Sequence, residues 1–252
     1  MSLQPIASWV DPSTGRRQDV AHVLLHPLLD SGTTKLRVIT EHSVVRVLFD
    51  GNKCCGVDIV SDKLTSPVTI HAKTQVIICA GTINSPQILE RSGIGGPSLL
   101  SKLDIPVISP LPGVGTNYQD HHFVPTKYKS SAPSTATHDA LWTGRVSPTS
   151  PEVQASGILA FNSGVVGGKI RPLAKELSQM SPRFQSLYER DFRNTNKPLA
   201  LIYGQTGSIG PPSPPDGQYM SIAVALAHSY SSGHVHIKAR IYKTLQTLMP
   251  EL

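Results

Sequence analysis

One segment of the sequence combines residue types that could bind a phosphate-bearing ligand. Val76–Ala80 is a short apolar run, and Gly81 follows it directly. The run predicts a strand buried on both faces of a parallel sheet. Ser85 and Pro86 then predict the first residues of a short helix that ends at Gly93. A glycine at such a bend lets the backbone approach a ligand, and the start of a helix offers unpaired N–H groups to phosphate. A tight turn alone would also explain this glycine.

Histidines are the other candidates for chemistry, because imidazole serves as a metal ligand or a general base. The sequence contains ten of them. His234 and His236 are two residues apart on a predicted strand, so both side chains should face one way and could share a metal. No third ligand lies near them in the sequence, so we predict sheet histidines and no metal site. We expect the His121-His122 pair to be structural.

Two longer strings carry a more specific signal. Gly81–Gly95 resembles, position for position, the second signature of the glucose–methanol–choline (GMC) oxidoreductases, and Leu111–His121 resembles that family's PGVG-N-QDH segment. Further segments are similar to the flavin domain and to the substrate domain, most closely to those of fungal alcohol (methanol) oxidases. These segments are Thr14–Asp19, Val44–Val47, Ala160–Pro172 and Tyr230–Ile237.

The resemblance implies an FAD-dependent alcohol oxidoreductase. In this family a base assists removal of the alcohol proton while hydride passes to flavin N5. It implies that the backbone around Val44 meets the adenine end of FAD, and that Ala80 and Gly81 lie beside its adenosine and phosphates. A small-molecule alcohol is the implied substrate, and a fungal biosynthetic pathway is the implied setting.

Two elements of the family pattern have no counterpart in the sequence. A dinucleotide site needs a G-x-G-x-x-G turn after a first strand, and Gly113-Val114-Gly115 lacks the third glycine of that turn. None of the ten histidines occupies the family's catalytic position, which follows the last similar segment. We therefore expect a central fragment that is not catalytically competent by itself, with no catalytic residue assigned and with FAD binding by the isolated chain in doubt.

Two alternatives from other functional classes remain open. The chain could be a non-catalytic remnant, or half of a split protein that acts by binding, because a missing strand would expose a sheet edge to a complementing fragment or to a second copy. It could also be a cofactor-free catalyst that reuses the substrate cavity.

Composition excludes other classes. The net charge is +6, but no basic run of five or more residues occurs, which argues against nucleic-acid binding. Apolar stretches are far shorter than the roughly 20 residues that span a bilayer, so we expect no membrane segment. The sequence shows no secretory signal and no peroxisomal tripeptide, so we expect a cytoplasmic protein. Three cysteines without C-x-x-C spacing predict free thiols.

Hydrophobic patterning predicts a mixed α+β and α/β fold in two domains, and the resemblance implies that these are a partial FAD-binding domain and a partial substrate domain. Residues 1–115 should form a partial, Rossmann-like FAD-binding layer with a small antiparallel sheet made by Val44–Phe49, Gly56–Val60 and Val68–Ala72. Residues 116–252 should form part of a substrate domain with a mostly antiparallel sheet and flanking helices. In that domain we predict a helical stretch over Arg171–Phe192, interrupted near Ser181-Pro182, and strands at Leu199–Tyr203 and Tyr219–Ala227.

Overall fold

The chain folds into two compact units, each built from two stretches of sequence. The computed structural model describes residues 3–6, 9–11, 13–14, 16–33, 35–61, 66–161, 163–212, 214 and 216–240. The five-stranded unit comprises the chain up to Leu36 and the stretch His121–Ser229. The hairpin unit comprises the stretch Arg37–Asp120 and the chain from Tyr230 onward.

The five-stranded unit is organised around one antiparallel sheet with strand order β1-β8-β9-β10-β7. Along β10, Ser221, Ala223 and Ala225 are buried, whereas the alternating residues Met220 and Ile222 are exposed. This period of two places one face of the strand in the interior. The strands are β1 (Leu3–Pro5), β7 (Phe123–Ser130), β8 (Gly164–Ile170), β9 (Ala200–Thr206) and β10 (Gln218–Leu226).

Helices with well-defined starts flank this sheet in the sequence. Ser181 caps α7, its Oγ accepting a hydrogen bond from the Phe184 N–H at 3.3 Å, and Pro182 occupies the first helical position. The predicted interruption near Ser181-Pro182 is confirmed, because α6 and α7 are separate helices. The helical elements of this unit are a π-helical turn (Ala21–Leu25), α1 (His26–Asp30), α4 (Asp139–Trp142), α5 (Pro151–Ser156), a 3₁₀ turn (Ile158–Ala160), α6 (Ala174–Ser178) and α7 (Pro182–Asp191).

The hairpin unit begins with the predicted antiparallel meander, which is confirmed. Strands β2 (Ser43–Asp50) and β3 (Lys53–Val60) pair around a tight turn, in which Gly51 has a φ of +57°. β4 (Val68–His71) pairs with β3 on the other side. The turn residues and the β-branched runs therefore specify this sheet locally.

A helical part follows the meander. It consists of α2 (Gly81–Arg91), β5 (Ile94–Gly95), α3 (Pro97–Lys102) and β6 (Ser109–Pro110). β5 and β6 are parallel, and α3 is the crossover between them. Leu100, Ile105 and Ile237 form the buried core under this part, with Leu103 packed against it. The late segment around Ile237 thus completes a core that begins more than a hundred residues earlier.

Two predicted strands are wrong. Val76–Ala80 forms no strand in the structure, and Ile77 is 73% exposed instead of buried. The β-rich run Leu36–Ile39, whose residue types also predict a strand, is likewise not one. An apolar run becomes a strand only when another strand offers hydrogen bonds, and none of the described residues pairs with either run.

The start of α2 also differs from the prediction. The helix begins at Gly81, four residues before the predicted cap at Ser85, and Pro86 lies inside it. Proline lacks an N–H, so Pro86 removes the helical hydrogen bond to the Thr82 carbonyl. Gly93 ends the helix as predicted, with a φ of +83° and with the Pro106 carbonyl only 2.4 Å from where a Cβ would stand.

Mixed helices and mostly antiparallel sheets confirm the α+β class. Among the described residues, no helix has the length and apolar character that a bilayer crossing would require.

Candidate functional site

The hairpin unit contains an open cavity of about 510 Å³ beside the first turns of α2. Four lining residues come from one face of α2, at the spacing i, i+3, i+4 and i+7 that places side chains on the same side of a helix. They are Thr82, Ser85, Pro86 and Leu89. The opposite wall is the segment Val114–Gln119, and Val235 completes the lining.

The lining carries no charged side chain, and most of its exposed surface is apolar. Six of its side chains carry a hydroxyl or an amide group: Thr82, Ser85, Thr116, Asn117, Tyr118 and Gln119. Such groups donate and accept hydrogen bonds without a net charge. The cavity therefore offers neutral hydrogen-bonding groups within a mainly apolar lining, and its size lies within the usual range of roughly 300–1,000 Å³ for ligand sites.

The Val114–Gln119 wall is held by the segment Gly233–Val235. Tyr118 and Gly233 exchange two backbone hydrogen bonds, of 2.9 and 2.7 Å, and the Val235 N–H donates to the Gly115 carbonyl at 2.7 Å. Gly115 has a φ of +75°, and a Cβ there would stand 2.4 Å from the Val235 carbonyl oxygen. Only glycine allows the two segments to approach so closely.

A buried carboxylate lies on α2 next to this wall. Glu90 is 0% exposed, and its Oε1 is 2.5 Å from Nδ1 of His236. Its Oε2 accepts a hydrogen bond from the Ile237 N–H at 2.9 Å. The carboxylate therefore joins α2 to the segment that holds the opposite side of the cavity.

The start of α2 offers a second binding feature. Ala80 occupies the cap position without a side-chain hydrogen bond to the helix, so the N–H groups of the first turn have no partner from the capping side chain. Gly81 is exposed, has a φ of +79°, and has no atom within 4 Å of an added Cβ. Open space next to a helix start can accommodate an anion such as phosphate.

The three predicted FAD-binding residues are placed differently. Ala80 and Gly81 directly precede Thr82, the first cavity residue, although neither lines the cavity itself. Val44 lies half-buried in β2 and is not among the lining residues. The carbonyl of the neighbouring Val45 accepts a hydrogen bond of 2.8 Å from Nε of Arg91, at the end of α2. Contact of these three residues with FAD stays a prediction.

Sequence reasoning did not identify Thr116, Asn117, Tyr118 and Gln119 as lining residues. The signal was present, because all four lie inside the second similar string, Leu111–His121. The structure brings the two similar strings to the same cavity, with α2 on one side and the Val114–Gln119 wall on the other.

His234 and His236 do not lie on the predicted strand. His234–Ile237 is not a strand, although the rings of His234 and His236 stack with centroids 5.1 Å apart and so do lie on one side. Within the part of the chain that the structure describes, no group of three His, Cys, Asp or Glu residues could hold a metal ion. In the five-stranded unit, His121 Nδ1 is hydrogen-bonded to the Leu226 carbonyl at 2.5 Å.

Tyr118 has a perturbed phenol at the edge of the cavity. Its hydroxyl donates to Oδ2 of Asp120 at 2.7 Å. This hydrogen bond to the carboxylate raises the pKa of Tyr118 above its usual range, and partial desolvation and the negative charge of Asp120 add to the effect. The neutral, hydrogen-bonding form of the phenol is therefore favoured at this position.

The five-stranded unit has a separate cavity of about 240 Å³. Its lining is mostly apolar, with the hydroxyls of Ser134 and Thr135 and the carboxylate of Glu152 as its polar groups. Buried Asp139 lies nearby in the sequence and accepts hydrogen bonds of 2.8 Å from the N–H groups of Ser208 and Tyr219.

Comparisons with known proteins indicate the class of protein, an oxidoreductase. Residues 6–123 match the family model described as GMC oxidoreductase. The alcohol oxidase of Candida boidinii is 33% identical over 249 residues, covering 92% of this chain and 36% of that protein. An oxygen-dependent choline dehydrogenase of Cronobacter sakazakii is 31% identical over 244 residues, covering 94% of this chain and 39% of that protein.

Solved structures share the fold. An FAD-dependent oxidoreductase from Chaetomium thermophilum superposes with a TM-score of 0.70 at 23% identity, covering 95% of this chain and 44% of that one. A formate oxidase gives a TM-score of 0.71 at 18% identity, covering 85% and 40%. The chain is thus similar to the GMC oxidoreductases, a family of FAD-dependent enzymes, and its residues 6–123 match the family model. It spans little more than a third of the length of the curated relatives that it matches.

Proposed function

We propose that the chain forms the central part of an FAD-dependent alcohol oxidoreductase, and that the cavity of the hairpin unit receives part of FAD. The supporting observation is that the two strings most similar to the family signatures line one cavity from opposite sides. In this proposal residues 1–115 contribute to the FAD-binding domain and residues 116–252 to the substrate domain. A small alcohol is the substrate, in keeping with the names of the relatives.

The residues of the cavity fit this cofactor chemically. Uncharged hydroxyl and amide groups such as those of Thr82, Thr116 and Asn117 suit the hydroxyls of the ribose and ribityl chains. The exposed helix start at Ala80 and Gly81 offers N–H groups to a phosphate. FAD, when bound, supplies the hydride acceptor, and the side chains named here hold and orient it.

The isolated chain binds FAD weakly and does not oxidise alcohols in this proposal. The sequence has no G-x-G-x-x-G turn for the pyrophosphate and no histidine at the family's catalytic position. A role in a fungal biosynthetic pathway belongs to the same proposal, supported by family association.

The test combines a spectrum with an NMR titration of the purified 252-residue chain. We expect no stoichiometric flavin absorbance and no alcohol-dependent bleaching after purification with added FAD. We also expect millimolar FAD to shift the amide signals of Thr82, Ser85 and Thr116–Gln119. Stoichiometric flavin with turnover would contradict the proposed lack of activity.

A matched variant controls the titration. Thr116→Val keeps the shape of the side chain and removes its hydroxyl, so it should weaken the FAD-dependent shifts. Thr149→Val makes the same change at an exposed position of the five-stranded unit and should leave them unchanged. Shifts that are spread over the surface and insensitive to Thr116→Val would refute the cavity as the FAD site.

A second candidate function is that of a binding fragment that pairs with a complementing polypeptide or a second copy. The observation that favours it is the exposed apolar run at Val76–Ala80, where Ile77 is 73% exposed and no described residue offers strand pairing. Light scattering after gel filtration tests this function. Self-association that Ile77→Lys abolishes supports it, and a monodisperse monomer with a cooperative melt contradicts pairing with a second copy.

A further inference from the structure

Glu90 has an environment that packing alone does not explain. Its side chain is fully buried in the hairpin unit, where a carboxylate costs several kcal/mol unless hydrogen bonds compensate it. Both of its oxygens are engaged, one by His236 and one by the Ile237 N–H. An apolar side chain would fill the same space without this cost. The two hydrogen bonds of Glu90 therefore need an explanation other than packing.

The location of Glu90 connects it to the cavity. Leu89, its neighbour on α2, lines the cavity, whereas Glu90 is rotated about 100° from Leu89 around the helix and is not a lining residue. The segment that it binds, His236-Ile237, directly follows Val235, which is itself a lining residue. Glu90 therefore contacts the support of the cavity and not the space inside it.

The support continues from Val235 to the opposite wall. The Val235 N–H binds the Gly115 carbonyl, and Gly233 pairs with Tyr118 in both directions. His236 also lies against Gly115, with its Nδ1 2.6 Å from where a Cβ would stand. A displacement of residues 233–237 would therefore move the Val114–Gln119 wall with it.

We propose that Glu90 is a positioning residue of the cavity: its buried carboxylate fixes residues 233–237 on α2, and these residues hold the Val114–Gln119 wall at the distance from α2 that the ligand needs. The identity of the ligand as FAD rests on the proposed function, whereas the fixation of the wall does not. Glu90 acts through His236, Ile237 and Val235, without touching the ligand.

The test is amide hydrogen exchange measured by NMR on the full chain, with Glu90→Leu and Glu90→Gln. Leucine removes both hydrogen bonds, so we expect exchange at Tyr118, Gly233, Val235 and Ile237 to accelerate about tenfold or more. Glutamine can accept from the Ile237 N–H through its oxygen and donate to His236 through its amide, because imidazole can change tautomer. We therefore expect Glu90→Gln to retain near-native exchange at all four amides.

Ser92→Ala is the matched control on the same helix. Ser92 is also buried, and its Oγ accepts from the Val47 N–H at 2.8 Å and donates to the Ile88 carbonyl. This variant should accelerate exchange at Val47 and spare Tyr118, Gly233 and Val235. Equal acceleration at these three amides in Ser92→Ala and Glu90→Leu would show a general loss of stability and overturn the proposal.

A second variant tests the positioning role of Glu90 if Glu90→Leu does not fold. The His236 side chain is 28% exposed, and His236→Leu removes one partner of Glu90 while the hydrogen bond from the Ile237 N–H remains. We expect a smaller acceleration at Gly233 and Val235, of about threefold, since only one of the two hydrogen bonds is lost. Native exchange at both amides in His236→Leu would overturn the proposal.

Ligand binding gives an independent measurement. With millimolar FAD, Glu90→Leu or His236→Leu should weaken the shifts at Thr116–Gln119, and Glu90→Gln should preserve them. If the unmodified chain shows no FAD-dependent shifts, the proposed function fails while the exchange experiment still decides the role of Glu90.

Discussion

A buried carboxylate joins distant segments in each unit of the chain, but the two carboxylates bind different partners. Asp139 in the five-stranded unit is 4% exposed and accepts two backbone N–H groups, from Ser208 and Tyr219. Glu90 in the hairpin unit accepts one backbone N–H and contacts one imidazole, that of His236. Asp139 therefore binds main-chain groups alone, whereas one partner of Glu90 is an imidazole side chain that can change its tautomer.

The different partners distinguish a carboxylate that stabilises the fold from one that supports the cavity. The partners of Asp139 lie just after β9 and within β10, so its loss should damage the sheet itself. The partners of Glu90 lie next to a cavity-lining residue, so its loss should change the cavity before it changes the fold.

The largest effect is expected for Asp139→Ala. The substitution leaves two partly buried N–H groups without an acceptor, at about 1–3 kcal/mol each, so the free energy of unfolding should fall by about 2–6 kcal/mol. Urea unfolding followed by circular dichroism measures this loss. Asp216→Ala, at an exposed position of the same unit, should change the value by less than about 0.5 kcal/mol. Similar losses of unfolding free energy in the two variants would mean that the hydrogen bonds of Asp139 do not stabilise the unit.

A smaller effect distinguishes the two carboxylates by their amide counterparts. Asp139→Asn has one acceptor oxygen for two N–H donors, so we expect it to lower the free energy of unfolding by about 1–3 kcal/mol. Glu90→Gln satisfies both of its partners and should cost less than about 1 kcal/mol. The same urea experiment measures both variants. A larger loss for Glu90→Gln than for Asp139→Asn would contradict the comparison.

The smallest effect concerns the ionisation of Tyr118. Its hydrogen bond to Asp120 raises the pKa of the phenol, so the neutral form is favoured in the folded chain. The resulting contribution to stability is present below the ordinary tyrosine pKa of about 10 and is lost as the pH rises through the higher value of the folded state. Asp120→Asn should lower the pKa of Tyr118 toward its ordinary value.

An NMR titration of tyrosine ring carbons measures this pKa. The chain has seven tyrosines, and Tyr118→Phe identifies the signal that belongs to position 118. If that signal titrates with the same midpoint in the native chain and in Asp120→Asn, the hydrogen bond does not control the phenol.

Much of the fold follows from local sequence. Asp50-Gly51-Asn52 between two β-branched runs predicts the β2–β3 hairpin, and Ser181-Pro182 predicts the start of α7, because turn and cap chemistry act over a few residues. The run Val76–Ala80 was predicted wrongly for the opposite reason. Its apolar residues favour a strand, but strand formation depends on a partner that local sequence does not specify.

The candidate site was predicted in part. Both similar strings contribute lining residues, and each is continuous in sequence, but the sequence alone did not identify Thr116–Gln119 as part of a cavity. The sequence did not show that Glu90 links two segments. Its partner His236 lies 146 residues away, and a glutamate in a helix is ordinarily exposed. His234 and His236 were correctly placed on one side, yet the predicted strand was wrong, because only Gly233 makes a bridge there, to Tyr118.

The close approach at Gly115 limits how this cavity can be redesigned. The Cβ of any side chain at position 115 would lie 2.4 Å from the Val235 carbonyl oxygen. A larger residue there would therefore push the Val114–Gln119 wall away from the segment Gly233–Val235. Libraries aimed at new ligands should therefore keep Gly115 fixed and vary Thr116 and Asn117, whose side chains border the open space.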